Sequence, residues 1–445
     1  MEAEFLKDRF HYEAQTDVGI KRSHNQDAHG ISTARSESAW QSRGHLFLVA
    51  DGMGAHAVGE MASKLAVDTI QLVYHKSRDA DPPAALAEAF QEANQIIHER
   101  GKQNPEFKGM GTTATALAIL PDGAHLAHVG DTRCYRIRGA VIEQLSFDHS
   151  LQWELARRRN INPAELTAVP SHVIIRSLGP QERVVVDQAG PYDVREGDRF
   201  LLCSDGLTGT VMDKEIWAVV THLAPNDACR FLIDLANLRG GMDNVTVVLV
   251  QVGEPAGDPN TTTDEESGIR PAWERFHGQL RRIPFPGWLV LTGISMATIG
   301  YLWRDFSPSL YPSTIAIVAV LAIAFLGAGL AGFVYRRRRQ REEASVAGPD
   351  SAPVYRRVVC ALDPVLVENL ARAEQSLREL AIEESWRVDW TQLHRTRAEA
   401  AKQQKAGRLV DAFREYCRCV SILSAALPKY REKQEVFRPN WEGRA

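Results

Sequence analysis

The stretch TTATALAILPDGAHLAHVGDTRCYRIRG, residues 112–139, decides the fold. Its apolar and β-branched runs, 112–120, 124–130 and 134–139, are short and bounded by turn residues, so each reads as a strand. Asp122 and Gly123 join the first two runs, and both residues tolerate the positive φ of a tight hairpin. Strands joined in this way run antiparallel, because parallel neighbours need a long crossover. Outward from this segment, HLFLVA (45–50), RFLLCS (199–204) and NVTVVLVQV (244–252) read as further strands. Residues 57–74 and 82–100 have helical spacing, the second with Asp81 as N-cap and prolines in its first turn. The class is α+β, with antiparallel sheets whose faces the helices cover.

Within this pattern one residue type recurs at one kind of place. Asp51 (VADGMG), Asp131 (HVGDTR) and Asp205 (LLCSDGLTG) close or follow apolar runs, and Asp243 (GMDNVTVV) opens one. Carboxylates delivered to one rim from several strand ends can share hard divalent cations, since oxygen ligands suit Mg²⁺ and Mn²⁺ and the metals cancel the mutual repulsion. An isolated Asp beside Gly would read as a turn. Four such turns in one domain read as a metal site.

The chain has 445 residues, more than one core usually serves, so two or more domains are expected. Its net charge of -4 lacks the basic excess of a nucleic-acid-binding protein, and no nucleic-acid partner is expected. The six cysteines lie among apolar neighbours without paired metal-ligand spacing, as reduced, buried thiols do. The N-terminal segment MEAEFLKDRFHYEAQ is charged and carries no signal-peptide core.

Residues 253–268 (GEPAGDPNTTTDEESG) are polar and turn-rich, opening a linker that runs over 254–283. Segments 284–303 and 314–335 are almost uncharged, each near the roughly 20 residues that cross a bilayer as a helix. Arg281 and Arg282 precede the first, and Arg336 to Arg339 follow the second. By the positive-inside rule the pair forms a hairpin with both long ends cytoplasmic, held in the inner (plasma) membrane through contact with lipid. The other reading, two buried core helices, fits this length and these flanks less well. Small residues at Gly327, Ala328, Ala331 and Gly332 would let the spans pack closely. Residues 352–445 are expected to be an all-α cytoplasmic region with helices over 366–382, 390–406 and 409–427, the last two resembling one tetratricopeptide-type pair. The partner of this tail is not legible.

Eight blocks now stand in a known order: TDVGIKRSHNQDA (16–28), DGMGAHAVGE (51–60), GMGTTAT (109–115), HVGDTRCYR (128–136), DHSLQWEL (148–155), SLG (177–179), DRFLLCSDGLTG (198–209) and DNVTVVLV (243–250). Residues 10–253 resemble the catalytic domain of metal-dependent serine/threonine protein phosphatases of type 2C, in their bacterial form. The resemblance implies a β-sandwich of two antiparallel sheets flanked by helices. It implies two Mn²⁺ or Mg²⁺ ions, bridged by Asp51, with the Gly52 carbonyl on one and Asp205 and Asp243 on the other. Asp131, with Asp205, would hold a third, weaker cation. Asp27 would orient metal-bound water, Arg22 would grip the phosphoryl group, and His56 would protonate the leaving alkoxide. Water activated between the metals would attack phosphorus in line. The implied partners are phosphorylated proteins, namely serine/threonine kinases and their substrates.

The chain departs from the family pattern where Ala55 and Val58 replace glycines and where Gly209 ends a block that often closes on an acid. These changes touch loop shape and any further metal contact, not the core ligands. The variable flap, 147–172, carries Arg157 to Arg159, read first as a solvated helix face and second as a run favouring acidic substrate surfaces. Two other readings stay open on sequence: a phosphoprotein-binding scaffold with little catalysis, and a small-molecule phosphoesterase.

Overall fold

The computed structural model describes residues 10–54, 57–77, 81–170, 172–253 and 353–427. All of these belong to one compact unit. Both apolar segments expected to form a membrane hairpin therefore lie outside the described residues. Among the described residues no helix is long and apolar enough to cross a membrane.

Two antiparallel sheets stack face to face. The first has the order β1 (Phe10–Asp17), β11 (Val245–Val252), β10 (Arg199–Cys203), β7 (Arg133–Arg138), β8 (Val141–Gln144), β12 (Arg356–Val359). The second runs β2 (Asp27–Ser32), β3 (His45–Met53), β5 (Ala114–Leu120), β6 (Gly123–Val129), β9 (Asp187–Tyr192), with β4 (Gly111–Thr112) beside the end of β3. The 122–123 hairpin forms as read, Leu120 pairing with Gly123.

Side-chain alternation explains why the central strands are continuous apolar runs. Phe47, Val49, Phe200, Leu202, Val248 and Val250 turn inward and fill the space between the sheets. Their neighbours Leu46 and Leu48 turn the other way, toward helices α2 (Ala57–Lys76) and α3 (Pro82–Gln103). Leu201, Cys203, Val247 and Leu249 turn toward α6 (Asp213–His222) and α7 (Pro225–Leu238). A strand covered on both faces has no polar side to show. Three shorter α-helices also precede β12: α1 (Glu37–Arg43), α4 (Leu151–Arg159) and α5 (Asp205–Thr208). The Asp81 carboxylate accepts from the Ala84 amide at 3.2 Å, giving α3 the N-cap its sequence announced.

The tail departs from the all-α expectation. Its three helices, α8 (Pro364–Glu383), α9 (Trp390–Lys405) and α10 (Leu409–Ser424), fall close to the ranges read from periodicity, but Arg356–Val359 is a strand on the edge of the first sheet. Val367, Leu370, Phe413, Tyr416, Cys417 and Val420 share one apolar cluster with Phe231 and Leu232 of α7. Polar contacts lock the same seam: Arg414 Nε donates to the His222 carbonyl at 2.7 Å, and the Ser421 and Ser424 hydroxyls donate to Asp234 at 2.9 and 2.8 Å. A fragment ending near residue 255 would expose the outer face of α7 to water. Truncating Phe413 to Ala should therefore lower the stability of the whole unit by about 3–5 kcal/mol. Urea unfolding followed by tryptophan fluorescence measures it, and a loss confined to a separate tail transition would contradict the shared core.

Candidate active site

The β2–β3 ladder sets Asp27 directly across from Asp51. Asp131 follows β6, Asp205 opens α5 immediately after β10, and Asp243 lies two residues before β11. The fold thus brings the five sequence-assigned carboxylates from both sheets to one rim. Asp27, Asp131 and Asp205 each bury an Oδ1 atom that has no hydrogen-bond partner among the described residues.

The backbone beneath Asp51 is tied from two sides. Its amide donates to the Thr113 hydroxyl at 2.9 Å, and its carbonyl accepts from the Thr112 hydroxyl and the Thr113 amide, both at 2.8 Å. Gly52 is required by close approach: a Cβ there would stand 2.0 Å from the Gly59 carbonyl oxygen. Asn244 ties together the loops around the rim, its Oδ1 accepting from the Gln26 amide at 2.8 Å and its Nδ2 donating to the Val18 and His24 carbonyls. Ser204 donates its hydroxyl to Asp27 at 2.7 Å and accepts from the Thr246 amide at 2.9 Å. Sequence reading assigned no part to Asn244, Ser204 or Thr113. The only signal was their place inside the quoted blocks.

The electrostatics follow from burial and crowding. Burial, reinforced by the charges of Asp205 and Asp243, pushes Asp27 up to about 7 against the pull of the Ser204 and Thr246 hydroxyls. Burial and the neighbouring aspartates hold Asp51 and Asp131 well above the usual carboxylate range, and Asp205 is raised for the same reasons. Asp205 lies within hydrogen-bond reach of Asp51. Asp243 is held by Arg22, whose Nη2 donates to its Oδ2 at 2.7 Å, and both side chains stay partly exposed. Among the described residues no three His, Cys, Asp or Glu side chains already form a closed ligand set. Asp243 instead engages Arg22, while the buried carboxylates stand close enough to repel and to raise one another's pKa. The donors are nevertheless all oxygen, several are buried without partners, and their charge is uncompensated, which is the chemistry that hard divalent cations match. His56 lies outside the described residues.

Beside the rim a cavity of about 260 Å³ extends under the flap and includes Asp131, Asp205, Trp153 and His172 in its wall. Its lining carries an ion pair on the buried Asp148, Arg133 donating to both carboxylate oxygens at 2.6–3.0 Å. The flap arginines behave as a solvated face, Arg157 and Arg158 both pairing with Glu154.

A two-sheet sandwich with a carboxylate rim at the strand ends defines a candidate metal-dependent hydrolase, and comparison with known proteins specifies which. Residues 20–231 match the family model described as Protein phosphatase 2C. Protein phosphatase PhpP of Streptococcus pneumoniae is 37% identical over 245 residues, covering 54% of this chain and 96% of that protein. Serine/threonine protein phosphatase PstP of Mycobacterium tuberculosis is 34% identical over 242 residues, 54% of this chain and 45% of PstP. The solved serine/threonine phosphatase of S. agalactiae is 34% identical with a TM-score of 0.50, covering 55% of this chain and 99% of that one. The chain belongs to the protein phosphatase 2C family and is a serine/threonine protein phosphatase of the bacterial type.

The flap is pinned next to the rim by His149, which accepts from the Gly130 amide at 2.9 Å and contacts Asp187 at 3.0 Å. Burial works against the Asp187 charge, but its bonds to His149 and Arg176 win and lower it to about 2. Because this folded value lies below the ordinary value of about 4, the contribution to stability is complete above that pH and is lost as pH falls through about 2. Asp187→Asn should lower Tm at neutral pH, and the gap to wild type should close progressively between about pH 4 and pH 2. Thermal scans across that range test the sign; a gap that widens in acid would contradict it.

Proposed function

We propose that the chain removes phosphate from phosphoserine and phosphothreonine in proteins, using Mn²⁺ or Mg²⁺ held on the aspartate rim, and so opposes serine/threonine kinases. The observation that carries this reading is the set of buried, unpartnered carboxylate oxygens of Asp27, Asp131 and Asp205, gathered with Asp51 and Asp243 in a family of protein phosphatases. Asp51 and the Gly52 carbonyl, Asp205 and Asp243 would hold two ions, and Asp131 with Asp205 a weaker third. When bound, the metals supply an acidified water nucleophile and neutralise charge on the phosphoryl oxygens.

The protein's own groups do the rest. Arg22, which holds Asp243 at the rim, would present a planar fork to two phosphoryl oxygens. Asp27, steadied by Ser204, accepts hydrogen bonds from water at the rim. His56 is assigned as proton donor to the leaving alkoxide on sequence grounds alone.

We further propose that 284–303 and 314–335 form a two-span membrane hairpin with both termini cytoplasmic. The pairing of β12 with β8 supports it, since 10–253 and 353–427 must then lie on the same side of any bilayer. A hairpin meets that requirement and a single span cannot. The tail contributes to the phosphatase unit itself, and its outside partners are not assigned.

With the full chain and Mn²⁺, a phosphothreonine peptide should be hydrolysed, and EDTA should abolish turnover. An outer-shell change such as Asp27→Asn should cost about 10- to 100-fold in kcat/KM, and the direct ligand change Asp205→Asn should cost more. Metal-independent turnover, or an unaffected Asp205→Asn enzyme, would sink the mechanism. A reporter fused after Ala445 should be found in the cytoplasm; an outside location would overturn the hairpin.

A further inference from the structure

The cavity beside the rim has a wall residue from outside the segment matched to the phosphatase family. Arg356, first residue of β12, lines it together with Asp131 and Asp205. We propose that Arg356 is a specificity-determining residue, reading an acidic side chain that flanks the phosphorylated residue of a peptide substrate. This rests on the reading of the chain as a protein phosphatase.

Three observations carry the assignment. The first is place. A phosphoryl group bound at the rim would leave the neighbouring residues of its peptide in the adjoining cavity, whose wall runs from Asp131 and Asp205 to Arg356. The second is charge. Arg133, the cavity's other arginine, is largely covered and held by both oxygens of Asp148, so its positive charge is already matched. The Arg356 side chain is 41% exposed and pairs through Nε with Asp213 Oδ2 at 3.0 Å. A guanidinium has five N–H donors, so one contact at Nε leaves donors for a second carboxylate.

The third is rigidity. Arg356 pairs in register with Gln144 on β8, the Tyr355 amide donates to the Gln144 carbonyl at 3.0 Å, and the Cys360 amide donates to the Ala140 carbonyl at 2.7 Å. Asp213 is itself fixed at the start of α6, where the Tyr135 hydroxyl donates to it at 3.3 Å. The side chain is thus anchored at its backbone and at Nε, and a preorganised cation loses little freedom on binding. The same face of β12 carries Val358 into the core shared with the tail helices, so the bundle fixes the strand that delivers the arginine.

The test uses the full chain with Mn²⁺ and matched phosphothreonine peptides carrying Glu or Lys on either side of the phosphoresidue. The readout is the ratio of kcat/KM for acidic over basic peptides, in which the fraction of correctly folded enzyme cancels. Wild type should favour the acidic peptides. Arg356→Gln should lower the ratio about threefold to fivefold, Arg356→Glu should lower it further, and Arg356→Lys should keep most of it. Rising salt should erode the wild-type preference and leave the Gln variant flat. A ratio that is the same in wild type, Gln and Glu enzymes overturns the assignment while leaving the phosphatase reading intact. If wild type hydrolyses none of the peptides, the phosphatase reading falls and this assignment falls with it.

Discussion

Five carboxylates pressed against one rim are the constraint on which the rest of this structure depends. Their charges repel in a poorly hydrated setting, so the protein must relieve them by raised pKa values and by Arg22 on Asp243. The same repulsion is what a divalent cation removes. A rim that stays crowded without metal therefore needs a frame that cannot relax outward. The Asp27–Asp51 register, the threonine hydroxyl and amide on the Asp51 carbonyl, and the three Asn244 ties to the β1–β2 loop supply that frame.

The layered core gives the frame its stiffness. Each central strand is covered on one face by the opposite sheet and on the other by helices, so a shift of the ladder would misplace apolar groups on both sides at once. The C-terminal segment continues this logic. Its strand extends the first sheet, and its helices extend the apolar layer over α7. The phosphatase unit accordingly includes residues that lie about a hundred positions further along the chain than β11.

Legibility differed by element for physical reasons. β3, β5, β6, β10 and β11 announced themselves because doubly covered strands are apolar nearly throughout, and β7 (RCYRIR) did so through Cys134, Tyr135 and Ile137. β1 (FHYEAQTD), β2 (DAHGIS) and β9 (DQAGPY) carry polar residues or proline, and only pairing with a neighbour makes them strands. β12 reads RRVV beside a basic, poorly patterned stretch, and nothing local separates it from a loop. The site showed a parallel split. Asp51, Asp131, Asp205 and Asp243 stood out by position and chemistry, whereas Asn244 and Ser204 matter through bonds to residues far along the chain.

The amino-acid sequence by itself determined the strand runs, the hairpin at 122–123, the helices over 57–74 and 82–100, the family blocks and the identity of the rim carboxylates. These are local properties: periodicity, turn chemistry and residue type at fixed spacing. Only the tertiary structure decided that Asp27 faces Asp51, that Asn244 ties the loops, and that Arg356 enters the wall of the cavity beside the rim. Each depends on which sheet edge or loop meets which partner, and long-range pairing is set by burial of the whole core rather than by any short stretch of the chain.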